Sequence, residues 1–325
     1  MSVSVHGGTM VVFGDSLSDT GNTATDILAA FGTPANAAKF LPPTELPFAP
    51  NYDNGRLTNG PTTSPASSTK GVWVEQLAPK LGLGTPTNSL AGGTNYAFAG
   101  AETGSGTLFN GLVQNMGKQL TDFCGTCSTV SSQNLYVLWG GADDIIDNLA
   151  GDPFTAATTA ANNIASYINT LANAGGKNFL WPDLPPLGFI PEVGTLPPGA
   201  GTALETAAIA FNAQWAADIG ALEAAHPGIT ITGLDTFGLF GAIAANPAAF
   251  GLTNISTPAA NFLNGNQNVN PDTYLFWDLE HPTTKGHQIL ADAALAAIPE
   301  PSTIALAGLG GVLLLIGRRR RARGQ

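Results

Sequence analysis

Five short apolar-rich runs recur along this chain, and the stretches between most of them are long enough for helices. Residues 10–13, 95–98, 135–139, 179–181 and 229–232 read as strands, several continuous enough to be buried on both faces. Helical patterns fall at 73–81, 108–123, 155–174, 203–225 and 284–297, and a loop leading into a short helix at 19–31. In 155–174, Ile164, Ile168 and Leu171 share one stripe and Gly175 marks the stop. Repeated strand–helix units imply an α/β fold with a mostly parallel central sheet and right-handed crossovers. Residues 42–70 are rich in Pro, Thr, Ser and Asn and predict a long surface loop, expected to border a substrate cleft. Trp139 and Trp181 sit at strand ends; they could line a pocket, but core packing is the expectation.

The first strand runs into Gly14-Asp15-Ser16, at the carboxyl edge where open α/β sheets bind ligands. A serine on a sharp strand-to-helix turn exposes its hydroxyl, and the helix start is expected to add unpaired N–H donors. Far downstream, Asp278 precedes His281 by three residues, so its carboxylate reaches the ring within one local turn. Ser16, Asp278 and His281 thus supply a nucleophile, an orienting acid and a base in that chain order.

These blocks resemble the GDSL (SGNH) family of esterases and lipases. Gly14 to Asn22 is similar to its first block and Asp278-x-x-His281-Pro-Thr to its last. Between them, Asn95 to Ala101 resembles the block that carries an oxyanion-hole glycine, here Gly100. Gly141-Ala142-Asp143-Asp144 resembles the Gly-x-Asn-Asp block, and 55–60 and 72–78 also fit. The resemblance implies a three-layer, flavodoxin-like sandwich and a serine hydrolase acting on carboxylic esters, from lipids to acylated polysaccharides, without metal or cofactor. The oxyanion would meet Ser16, Gly100 and Asp143. Asp143 departs from the family asparagine: an ionised carboxylate has no proton to give and repels the developing charge. That departure supports an alternative, a catalytically weakened surface or matrix protein binding carbohydrate or a partner.

Hydrophobic residues make up 44% of the chain, enough for a large core, and no repeat divides it, so one hydrolase domain is expected over 1–298. Of 12 Lys and Arg, five lie in the last eight positions; the other seven face 23 Asp and Glu, a balance of −16 that disfavours nucleic-acid binding. Cys124 and Cys127 are compatible with a redox pair, half a zinc site or a local disulfide, and the disulfide is expected in an oxidising compartment.

Residues 299–325 form a separate device: Pro299-Glu300-Pro301, an uncharged stretch at 303–317, then four arginines. As a helix that stretch spans roughly 22 Å, against a bilayer core of about 30 Å. The pattern resembles a PEP-CTERM sorting signal, which implies export, membrane anchoring through the C-terminal helix, processing by exosortase-type machinery and a cell-surface destination. Residues 1–9 show no charged n-region and no apolar h-region. The signal peptide that such a tail requires is therefore expected upstream of a start placed too late, or trimmed away.

Overall fold

A computed structural model describes residues 8–260 and 269–298. In chain order its main elements are β1 (Met10–Gly14), α1 (Asn22–Phe31), α2 (Pro34–Ala37), α3 (Trp73–Lys80), β2 (Thr107–Leu108), β3 (Val113–Gln114) and α4 (Met116–Cys124). There follow β4 (Leu135–Trp139), α5 (Ala142–Asp147), α6 (Pro153–Asn173), β5 (Asn178–Pro182), α7 (Ala200–Ala225), β6 (Thr230–Leu234), α8 (Thr236–Ala245) and α9 (Thr284–Ala297).

β1, β4, β5 and β6 pair in that order, all parallel, with Met10 opposite Leu135 and Leu135 opposite Asn178. Successive side chains on a strand point to opposite faces, so each strand feeds two cores. Met10, Val12, Leu135, Val137 and Leu180 pack with residues of α3, α8 and α9. Val11, Phe13, Tyr136, Leu138 and Phe179 pack with α4, α6 and α7 on the other side. The result is the expected three-layer α/β sandwich, with the carboxyl ends of the strands at one edge.

Two local expectations change. Residues 94–98 run along the free edge of β1, with Tyr96 N donating to Val12 O at 2.8 Å and Phe98 N to Gly14 O at 3.1 Å. They form only a single bridge to Val12, and on its outer side Asn95 bonds Thr87 and Ser89. The helix expected over 108–123 is instead the β2–β3 hairpin followed by α4. Phe109, Asn110 and Gly111 all take positive φ, at 48°, 56° and 96°, and a right-handed helix cannot pass through them. Trp139 and Trp181 are core, at 1% and 0% exposure.

Among the described residues no helix is long and apolar enough to cross a membrane. The expected C-terminal membrane segment at 303–317 lies outside the described residues, as does the PEP motif.

Candidate active site

β1 ends where β4 crowds it: a Cβ on Gly14 would lie 2.2 Å from Trp139 O, so only glycine fits. The chain then folds back on Asp15. Its carbonyl accepts from Ser18 N and Asp19 N at 3.1 and 3.0 Å, and its carboxylate from Leu17 N at 3.0 Å. Ser16 is left partly exposed on the outside of this turn. Among the described residues its N–H has no hydrogen-bond partner.

The rest of the first block holds the 95–100 block beside Ser16. Asn22 Nδ2 donates to Asn95 O and Ala97 O at 2.8 and 2.9 Å, and Asn95 Nδ2 donates to Ser18 O at 2.6 Å. The Asp19 carboxylate accepts from Gly21 N and Asn22 N, both at 2.7 Å, and from Ala99 N at 3.1 Å. These bonds overturn one expectation: the next helix starts at Asn22, and Asp19 takes its first N–H groups, so they are not aimed at Ser16. Gly100 follows with φ +76° and open space where a Cβ would stand. Its N–H also lacks a partner among the described residues.

The other half of the site lies on no strand. In the loop before α9, His281 Nδ1 sits 2.8 Å from Asp278 Oδ2, and the two residues are 8% and 5% exposed. Asp278 Oδ1 accepts from Glu280 N at 2.9 Å and His281 N at 2.6 Å. Burial alone would raise the Asp278 carboxyl, but the charge and hydrogen bonds of His281, with a hydrogen bond from Tyr52, hold it below the usual carboxylate range. Burial likewise works against the His281 imidazolium, yet Asp278 outweighs it, with Glu280 and Asp15 adding, and lifts His281 to about 9. His287, buried without such a carboxylate, falls to about 3 and stays neutral.

Two adjoining cavities share Ser16, Asp143, Glu280 and His281 in their walls. The inner one, about 50 Å³, backs onto Trp139, Phe240 and Phe276. The outer one, about 320 Å³, opens past Gly100 and is lined by Leu41, Pro47, Leu57, Phe109 and Leu112. The long polar loop therefore borders the cleft as expected. Burial raises Asp143 well above the ordinary carboxyl range, and Asp15 and Glu280 push it further; the adjacent Asp144 contributes least. Asp144 turns away and accepts from Thr103 N and Oγ1 at 2.9 and 2.8 Å. Asp15 and Glu280 are themselves raised to about 7, mainly by burial. Cys124 and Cys127 lie side by side at the end of α4, Cα atoms 4.6 Å apart, within disulfide reach and outside both cavities. No group of three or more His, Cys, Asp or Glu suited to a metal ion occurs among the described residues.

Residues 10–294 match the family model described as GDSL-like Lipase/Acylhydrolase. The chain belongs to the GDSL family. Residues 297–321 match the PEP-CTERM protein-sorting motif. A GDSL esterase/lipase of Arabidopsis thaliana is 26% identical, aligned over 86% of this chain and 84% of its own length. Another from the same plant is 24% identical over 90% of this chain and 89% of its own. A Pseudomonas putida protein described as an uncharacterized protein in the trpE-trpG intergenic region is 27% identical over 91% of this chain and 49% of its own length. This GDSL protein is therefore a hydrolase of that family, marked for export to a surface or extracellular location. Its motif implies an exosortase-type sorting system, and its family implies ester substrates.

The GDSL blocks led to Ser16, Gly100, Asp143, Asp278 and His281, and the fold brings all five to the two cavities. Glu280 and Tyr52 were missed. Glu280 was in plain view between Asp278 and His281, but an acid beside a histidine carries no spacing signal. Tyr52, whose hydroxyl donates to Asp278 Oδ2 at 2.7 Å, lies 226 residues away, beyond any local pattern.

Proposed function

We propose that this GDSL hydrolase cleaves carboxylic esters through an acyl-enzyme on Ser16. His281, its Nδ1–H held by Asp278, takes the Ser16 proton on Nε2 as Oγ bonds to the ester carbonyl carbon. The carbonyl π electrons move to oxygen, and the N–H groups of Ser16 and Gly100 receive the oxyanion. Collapse breaks the bond to the alcohol, which leaves with the proton from His281. Water then repeats the sequence and releases the acid. Asp143, kept neutral by burial among other carboxyls, donates the third hydrogen bond that asparagine supplies in relatives.

The observation that carries this assignment is that Ser16 and Gly100, whose N–H groups lack partners among the described residues, line one cleft together with an Asp-held histidine. The apolar wall of Leu41, Leu57 and Phe109 supports an acyl chain as the group bound there. We place the hydrolase domain at 1–298 and the sorting device at 299–325, which tethers the chain to the membrane until processing, with Cys124 and Cys127 joined after export. A fluorophosphonate probe should label Ser16 in the wild type and not in Ser16→Ala, while p-nitrophenyl esters from acetate upward rank the acyl lengths. A folded wild type that neither takes the probe nor hydrolyses any ester would favour the weakened, binding-only alternative.

A further inference from the structure

The loop at 42–70 does more than border the cleft. It is stitched to the segment carrying Asp278 and His281 on both sides. Trp277 Nε1 donates to Asn51 O at 2.9 Å, Thr58 Oγ1 to Pro282 O at 2.8 Å, and Thr284 N to Asn59 Oδ1 at 2.7 Å. Tyr52, Leu57, Ala99 and Trp277 close a small apolar core beneath these bonds. Arg56 anchors the loop to α3 by a two-pronged pair with Glu75, at 2.8 and 2.6 Å. Tyr52 itself is fully buried and lines neither cavity.

We infer that Tyr52 is a positioning residue for the acid–base pair, its hydroxyl locking the Asp278 carboxylate in the rotamer that holds His281. The inference rests on Asp278 being the orienting acid, and the geometry carries it. Asp278 Oδ1 accepts from two N–H groups of its own loop, at 2.9 and 2.6 Å, and lies 3.0 Å from His281 Nδ1. Oδ2 faces His281 Nδ1 at 2.8 Å and receives one further hydrogen bond, from Tyr52 at 2.7 Å. The hydroxyl also lies 3.1 Å from Thr44 O, but its one proton goes to the nearer, charged acceptor. Burial and the adjacent Asp278 raise the phenol far above its usual range, so it remains a donor.

Two consequences follow. Four donors fill the carboxylate, so rotation of Asp278 away from His281 breaks a bond at each oxygen. The hydroxyl also draws charge from Oδ2 and tempers the field at Nδ1–H. Of the other ionisable groups near His281, Glu280 and Asp15 favour its cation most, and Asp143 shares both cavities with it; His287, charged, would oppose it, but it is neutral.

The test compares Tyr52→Phe with the wild type, Thr58→Val and Asp278→Asn. Tyr52→Phe keeps the ring and should lower kcat about tenfold, as expected for a lost bond to a charged group, with KM unchanged. The acid limb of its kcat/KM profile should move to higher pH, because an untempered Asp278 stabilises the imidazolium more. Thr58→Val loosens the same loop without touching Asp278, and its limb should stay put. Replacing Tyr52 by 3-fluorotyrosine, a stronger donor of nearly equal size, should move the limb the other way and serves if Tyr52→Phe does not fold. An inactive Asp278→Asn beside a Tyr52→Phe or fluorotyrosine variant with wild-type kcat and limb overturns the role of Tyr52 alone. A fully active Asp278→Asn overturns the assignment of the acid, and this inference with it.

Discussion

Ser16 and His281, the proposed nucleophile and base, are held in different ways. Ser16 sits on a turn at the end of β1, in a sheet whose strands are paired in register and buried in two apolar layers. His281 sits in a loop with no strand beneath it, held by hydrogen bonds from a second loop more than 200 residues away. Sheet packing positions one partner through many interchangeable apolar contacts. Polar stitching positions the other through a few directional ones. A hydrolase built this way should lose stability when the sheet is damaged and catalytic precision when the loops are.

The largest effect should come from the polar side. Asp278→Asn leaves a similar shape but stabilises the wrong imidazole tautomer, and kcat should fall by about 10⁴; a loss under threefold in steady-state assays would show that Asp278 does not orient His281. On the apolar side, Leu180→Ala removes a fully buried side chain from the middle of the sheet. It should destabilise by about 2–5 kcal/mol while kcat per folded molecule stays near wild type. Chemical denaturation beside active-site titration checks this, and a drop in kcat without a drop in stability would reverse the comparison. Asn59→Ala removes the acceptor of Thr284 N at the start of α9, which should cost about 1–3 kcal/mol and, unlike Leu180→Ala, lower kcat several-fold. Equal kcat in the two folded variants would mean that stitching and packing are not distinct.

The smallest effect near neutral pH belongs to Asp143→Asn, because a neutral carboxylic acid and an amide both donate. On the proposed mechanism, activity should rise with pH as His281, raised to about 9 chiefly by Asp278, gives up its proton, and should fall where Asp143, raised by burial above the ordinary carboxyl range, loses its own. The variant should therefore match the wild type within about threefold at neutral pH, taking under 1 kcal/mol as the difference between two intact donors, and lose the alkaline limb. Matching alkaline limbs in the two pH–rate profiles would show that Asp143 is not the group titrating there, and a higher kcat in the variant at every pH would mark Asp143 as a weakening substitution.

The strand runs, the helix stripes and the GDSL blocks are local patterns, and a parallel sheet places the carboxyl ends of its strands along one edge whatever the connecting loops do. That is why the α/β class, Ser16 at the edge of β1 and the Asp278–His281 pair were legible in the sequence. The hairpin in place of a helix at 107–114 was not, because its left-handed residues are two non-glycines, Phe109 and Asn110, ahead of Gly111. The blocks singled out Asp143, but not the bonds from Thr103 that turn the adjacent Asp144 away from the cleft. Tyr52 against Asp278 belongs to the same class. The upward shifts of Asp143 and His281 are set by which carboxyls share the cavities, and that depends on burial and on distances across the folded chain. The sequence by itself determined the scaffold and the chemistry available at its edge. Only the tertiary structure decided which polar groups meet out of water, where a hydrogen bond or a charge acts over a few ångströms and is decisive.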